Sequence, residues 1–187
     1  MNRLNTRPAW ILMGIIIILD QASKILTRAF TYEGQSIPIL QSVFGDTFRF
    51  THLQNPGAAF SISLSNPVVN RIFFIAASVF AVAFIIYLLF RAIHRLQVWA
   101  FGLILGGAIG NLIDRILIGT VTDFVDVDIP DMLGMTRFPV FNVADSAIFI
   151  GMVLLIIDII FLKDERQQQP LSIEEEDSIS KQGVIDE

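Results

Sequence analysis

The chain has 187 residues, 53% of them hydrophobic and only 17% charged, with a mean hydropathy of +0.64. That composition excludes an ordinary soluble domain and points to an integral membrane protein. The formal net charge of −5 is concentrated, since residues 173–187 hold six of the 18 Asp and Glu; the near-balanced remainder has no basic patch for nucleic acid. The absence of Cys excludes disulfides, thiol catalysis and cysteine-ligated metals, and suits either redox compartment.

The N-terminus, "MNRLNTRPAWILMGIIIILDQASK", has the basic start and apolar run of a secretory signal. The run continues past Asp20 with no well-placed small-x-small site, so it reads as a retained first membrane span over 10–29. Asp20, Gln21 and Lys24 interrupt that span. Residues 30–67 contain Phe48, Phe50, His52, an Asn-Pro-Gly turn at 55–57 and the 57–60 stretch, a pattern of short strands and turns that predicts a small sheet. A second span of the required ~20 apolar residues covers 68–90 and has no acidic residue. The third, over 98–117, carries Asn111, Asp114 and Arg115 near its end and a Gly106-x-x-x-Gly110 packing signal. Residues 118–140 mix four Asp with large apolar side chains, as an interfacial segment would; Asp126, Asp128 and Asp131 read as its solvated face. The fourth span, 141–161, has Asn142 and Asp145 at its start and Asp158 near its other end, expected at headgroup level. The polar, acidic residues 163–187 are expected to be a disordered tail, beyond a membrane domain of 1–162. There is no internal repeat.

Lys and Arg in short connections set orientation. Arg3, Arg7, Arg91, Arg95, Lys163 and Arg166 fall on one side of four crossings. Both termini are therefore expected in the cytoplasm, with 30–67 and 118–140 facing outward. This topology gathers the polar residues. Asn111, Asp114, Arg115, Asn142 and Asp145 lie at the outer ends of two spans, Asp123 follows eight residues after Arg115, and Asp20, Gln21 and Lys24 lie one or two turns deeper. Asp20 and Lys24 are i and i+4, and Asn142 and Asp145 are i and i+3, so each pair shares a helix face. Ionisable groups inside membrane segments mark function by default.

Taken singly, each has a plainer role. Asp20–Lys24 suits a structural pair, Arg115 a snorkelling anchor, Asn142 an N-cap, and Asp145 a helix N-terminal anion. Convergence argues for more. Two carboxylates in a partly dry site can divide one proton, one acting as base and the other as acid, and so activate water against an amide. Other hydrolytic arrangements fit poorly. Ser23 and Lys24 are adjacent and do not face each other. His52 and His94 fall on opposite sides of the membrane. There is no G-x-S-x-G turn and no H-E-x-x-H zinc motif. A proton-coupled carrier would keep polar groups near the midplane, and a scaffold would not need a convergent Asn, Asp and Arg set.

In order along the chain, "DQASK" (20–24), "QNPGAAF" (54–60), "GGAIGNLIDR" (106–115), "VTDFVD" (121–126) and "FNVADSAI" (141–148) together resemble the bacterial lipoprotein signal peptidases, or signal peptidase II. The resemblance covers about residues 20–148. It implies a four-helix integral membrane fold with a small β-sheet cradle and an interfacial segment on the outer face. It implies an aspartic endopeptidase of the inner membrane that cuts prolipoproteins before a diacylglyceryl-modified Cys and is a target of globomycin. By motif, Asp123 and Asp145 would be catalytic; Asn55, Asn111, Asp114, Arg115 and Asn142 would line or support the site; Asp20 and Lys24 would form a structural polar pair. No cofactor, metal or nucleic acid is implied. The expected partners are lipidated prolipoproteins and membrane lipid, and the expected state is a monomer. The site is expected to be an aqueous pocket near the outer leaflet with apolar walls that admit the lipid.

Overall fold

The computed structural model describes residues 4–57, 66–132 and 135–161, with side chains described throughout these except at 130–132 and 135–136. The tail at 163–187, Arg3, residues 58–60 and the side chain of Asp131 lie outside the described residues. In chain order the elements are α1 (Arg7–Phe30), β1 (Ser36–Pro38), α2 (Gln41–Phe44), β2 (Phe48–Asn55), α3 (Pro67–Leu89), α4 (Arg95–Leu117), β3 (Val121–Met132), β4 (Met135–Arg137) and α5 (Val143–Phe161). Four of them, α1, α3, α4 and α5, are long and apolar enough to cross a membrane, at the positions the hydrophobic runs predict.

Local chemistry marks where α1 and α3 begin. Pro8 stands at the start of α1. Asn66 caps α3, its side chain accepting the Val68 and Val69 N–H groups. At the far end of α4 the last carbonyls are met from another helix: Arg71 of α3 donates to Arg115 O (3.1 Å) and Ile116 O (2.6 Å).

Helix α4 is the central member and packs against α1, α3 and α5. Small residues let the backbones approach. A Cβ on Gly106 would stand 2.6 Å from the Ile16 Cβ, and one on Gly110 would stand 2.5 Å from the Asp20 Oδ2. Gly102 meets Ala9 in the same way, so the small-residue stripe runs one turn further than the Gly106–Gly110 signal alone indicates. On another face, a Cβ on Gly107 would collide with the Ala144 carbonyl of α5. The apolar core of Ala9, Leu89, Val98, Phe101 and Leu105 lies toward the end where α1 and α4 begin.

The opposite end carries a four-stranded antiparallel sheet in the order β1-β2-β3-β4. A sheet from 30–67 agrees with the sequence reading. The segment 118–140, expected only as an interfacial segment, also joins the sheet: residues 121–132 are the 12-residue strand β3, paired along β2 from Phe48↔Val127 to Asn55↔Val121. The β-branched Val121, Val125 and Val127 favour the extended chain, and the four Asp obscured that signal. Asp126 is therefore not on a solvated face. It is buried, accepting from Thr51 (2.7 Å) and from Arg137 Nε (2.8 Å). Asp128 is half-buried, its side chain partly open to solvent and 3.9 Å from Arg137 Nη1. Asp158, near the end of α5, is buried as well: it turns toward α4, where His94 lies 2.9 Å away and Gln97 donates to it.

The glycine contacts set a contrast. Replacing Gly106 with Val should destabilise the bundle by about 1–3 kcal/mol through overpacking. Gly14→Ala, where nothing lies within 4 Å, should stabilise it by about 0.5–1 kcal/mol through helix propensity. Thermal unfolding in detergent would measure both.

Candidate active site

Asn142 and Asp145 open α5 with a reciprocal cap. The Asp145 N–H donates to Asn142 Oδ1 (3.0 Å), and the Asn142 N–H donates to Asp145 Oδ2 (3.1 Å). This is a capping box built from Asn and Asp. The preceding residue, Phe141, is bridged to Val125 of β3: the Val125 N–H donates to Phe141 O and the Phe141 N–H to Val125 O. That bridge lays the start of α5 against the strand carrying Asp123.

The cap and the strand meet at the Asn142 side chain. Its Nδ2 donates to Asp123 Oδ1 at 2.7 Å, with Asn111 Oδ1 at 3.2 Å and Thr122 O at 3.4 Å as further acceptors. One fully buried side-chain amide thus joins the Asp123 carboxylate to the Asp145 backbone N–H, and the Asp145 carboxylate is held by the same residue's backbone N–H. Each carboxylate has a second amide: Asn55 Nδ2 donates to Asp123 Oδ2 (3.1 Å), and Asn111 Nδ2 to Asp145 Oδ1 (2.8 Å). Burial pushes the Asp123 carboxyl up from 3.8 to about 6, helped by the nearby Asp145 charge and opposed by the Asn55 and Asn142 hydrogen bonds and the Lys24 charge.

Beneath these groups lies a charged cluster with no solvent exposure. Lys24 Nζ is 2.9 Å from Asp20 Oδ2 and 3.7 Å from Asp114 Oδ2, and it donates to Asn111 Oδ1 at 2.8 Å. Asp20 Oδ1 accepts the Ala144 N–H of α5 (3.0 Å). Asp114 Oδ2 accepts the Thr122 N–H (3.0 Å), one residue before Asp123. Gln21 and Arg28 also reach Asp114. Asp20 and Asp114 therefore hold the α5 and β3 backbones. Among the described residues no buried side-chain nitrogen or oxygen lacks a partner.

Arg115 feels the charges of Asp145 and Asp123 but is hydrogen-bonded elsewhere, to Gly57 O (3.2 Å) and Asn111 O (3.4 Å), and lies over the Phe74 ring. All nine residues singled out from the sequence fall in this one connected region. Thr122, Arg28 and Gln54 belong to it too. Thr122 Oγ1 accepts from Arg28 (2.8 Å) and from Gln54 Nε2 (3.2 Å). Arg28 was findable, being one turn beyond Lys24 on the same helix. Thr122 carried no signal apart from its place beside Asp123.

Asp123, Asp145, Asn55, Asn111 and Arg115 line a cavity of about 1240 Å³ whose remaining walls include Leu53, Ile129, Phe138 and Phe149. The volume exceeds the roughly 300–1,000 Å³ of small-molecule sites. Two carboxylates fixed by amides, in a large cavity with apolar walls, can divide a proton and activate water.

A family profile described as signal peptidase (SPase) II matches residues 12–161. The lipoprotein signal peptidase of Janthinobacterium sp. (strain Marseille) is 47% identical over 147 residues, covering 78% of this chain and 83% of that protein. That of Geobacter metallireducens is 42% identical over 167 residues, covering 88% and 96%. Among solved structures, a bacterial membrane enzyme determined in meso at 1.9 Å resolution is 29% identical with a TM-score of 0.68, covering 83% of this chain and 94% of that one. With this match across its four spans, its sheet and its polar site, the chain belongs to the signal peptidase II family.

Proposed function

We propose that the chain is an aspartic endopeptidase of the bacterial inner membrane, removing signal peptides from diacylglyceryl-modified prolipoproteins by cutting before the lipidated Cys. The observation that carries this reading is the pair Asp123 and Asp145, both touched by Asn142 and both lining one large cavity. Both termini are cytoplasmic in this reading, and the sheet end faces outward near the outer leaflet. A signal helix then enters beside the bundle, its scissile bond level with the aspartates and its lipid against the apolar wall.

The dyad divides its roles by environment. Asp123, whose carboxyl holds its proton to about pH 6, is the acid. Asp145 is the base. Asp145 takes a proton from water as the water oxygen adds to the scissile carbonyl carbon, and Asp123 gives its proton to the carbonyl oxygen. The C–N bond then breaks, the amine nitrogen receiving the proton from Asp145 and Asp123 recovering its own. Asn55, Asn111 and Asn142 keep both carboxylates in place, and the Arg115 charge offsets the net negative charge of the pair.

Asp123→Asn and Asp145→Asn should each lower cleavage of a lipidated prolipoprotein by at least ~10³-fold while the purified proteins stay folded; retained turnover in either would rule out the dyad. For the wild type, kcat/KM should fall about tenfold per pH unit above about pH 6, where free Asp123 loses its proton. A profile flat from pH 5 to 8 would remove Asp123 from the acid role.

The same raised value has a consequence for stability. Because the folded-state pKa lies above the ordinary 3.8, the proton's contribution is complete below that ordinary value and disappears as pH rises through about 6. Asp123→Asn does not titrate. Its unfolding stability relative to wild type should therefore improve by about 1.4 kcal/mol between pH 5 and pH 8, read as a change in the Tm difference in detergent.

A further inference from the structure

Lys24 lies inside the bundle with no solvent exposure, and its pairing with Asp20 accounts for only part of its surroundings. Its Nζ also donates to Asn111 Oδ1 at 2.8 Å, the shortest of its contacts. This bond determines which way the Asn111 amide points. An amide has one acceptor end and one donor end. With Oδ1 held by the Lys24 ammonium and by Asn142 Nδ2 (3.2 Å), the Nδ2 end is turned to Asp145 Oδ1 (2.8 Å). The reversed amide would set NH2 against ammonium and carbonyl oxygen against carboxylate, so both contacts would become repulsive.

We propose that Lys24 is a positioning residue for peptide hydrolysis, acting through the Asn111 amide to hold the Asp145 carboxylate in place. The inference rests on the aspartic dyad reading above. Lys24 touches neither aspartate of the dyad; its other neighbours are Asp20 on α1 and Asp114 on α4. Its charge also opposes proton retention by Asp123, whose environment otherwise comprises Asp145 and the amides of Asn55 and Asn142, with Arg115 nearby. Lys24 thus acts on Asp145 by orientation and on Asp123 by charge.

Lys24→Met alone strands the buried Asp20 carboxylate and risks unfolding. The test therefore uses the neutralised pair Asp20→Asn/Lys24→Met, in which the new amide side chain keeps an oxygen for the Ala144 N–H. Cleavage of a diacylglyceryl-modified prolipoprotein is measured in detergent from pH 5 to 8, together with Tm. The neutralised pair should keep a Tm close to wild type yet lose about 10- to 100-fold in kcat, the scale of one oriented hydrogen bond to a charged group, with KM within about twofold. The falling limb of its pH profile should move to higher pH. Adding Asn111→Ala should cost no more than Asn111→Ala does alone, because both changes remove one connection.

A folded neutralised pair that cleaves at the wild-type rate, or whose loss multiplies with that of Asn111→Ala, would overturn the proposal and leave Lys24 a structural ion. If the neutralised pair fails to fold, Asn111→Asp decides. It keeps an oxygen for Lys24 but removes the donor to Asp145, and undiminished kcat there would overturn the proposal. Failure of the dyad reading is distinct: Asp145→Asn would then retain turnover in the wild-type background.

Discussion

The structure depends on one requirement, that every charge taken out of water into a helix bundle must find its partner inside the bundle. Lys24 and Asp20 meet that requirement one turn apart on α1, and the solution shapes everything around them. Asp20 spends its second oxygen on the Ala144 N–H of α5, and Lys24 spends a proton on Asn111 of α4. An ion pair that could have been private to one helix therefore ties three spans together. Gly110 is what lets α4 come close enough, since a Cβ there would strike Asp20.

The start of α5 shows the same economy. A helix N-terminus needs acceptors for its free N–H groups, and Asn142 and Asp145 supply them reciprocally. Asn142 then has an amide donor left over, and it goes to Asp123. Because the Asn142 side chain both accepts the Asp145 backbone N–H and donates to the Asp123 carboxylate, while the Asn142 backbone N–H holds the Asp145 carboxylate, the geometry of the proposed dyad is only as loose as a helix cap. The sheet brings the other half. Asp114 holds the Thr122 N–H and Phe141 bridges to Val125, so Asp123 is gripped from both sides along β3. The side facing the cavity is walled by apolar residues, among them Leu53, Ile129, Phe138 and Phe149.

At the other end of the bundle, His94, Gln97 and Asp158 repeat the principle without lining the cavity. A buried carboxylate in α5 is satisfied by two residues at the start of α4. On the sheet, Arg137 joins Asp126 and Asp46, pinning the strand that follows the site to the turn before β2. These two clusters were the least legible parts of the molecule. Asp158 and Asp126 each have plausible solvent or headgroup roles when read alone, and their partners are 61 and 11 or more residues away.

The four spans, the end at which the polar groups gather and the candidate aspartates were all readable from the chain. Hydrophobic runs of bilayer length, helical i and i+3 or i+4 spacing, and ordered short motifs are properties of local sequence. Strand β3 was not readable, because its alternation of Asp with β-branched residues mimics a solvated loop until β2 is beside it. Nor was the division of labour among the buried groups. Which oxygen of Asp20 faces α5, which end of the Asn111 amide faces Asp145, and whether Asp126 meets water or Arg137 are set by contacts between residues far apart in sequence. Tertiary structure alone decided these, because a buried polar atom is positioned by the one complementary partner that packing leaves within hydrogen-bond reach.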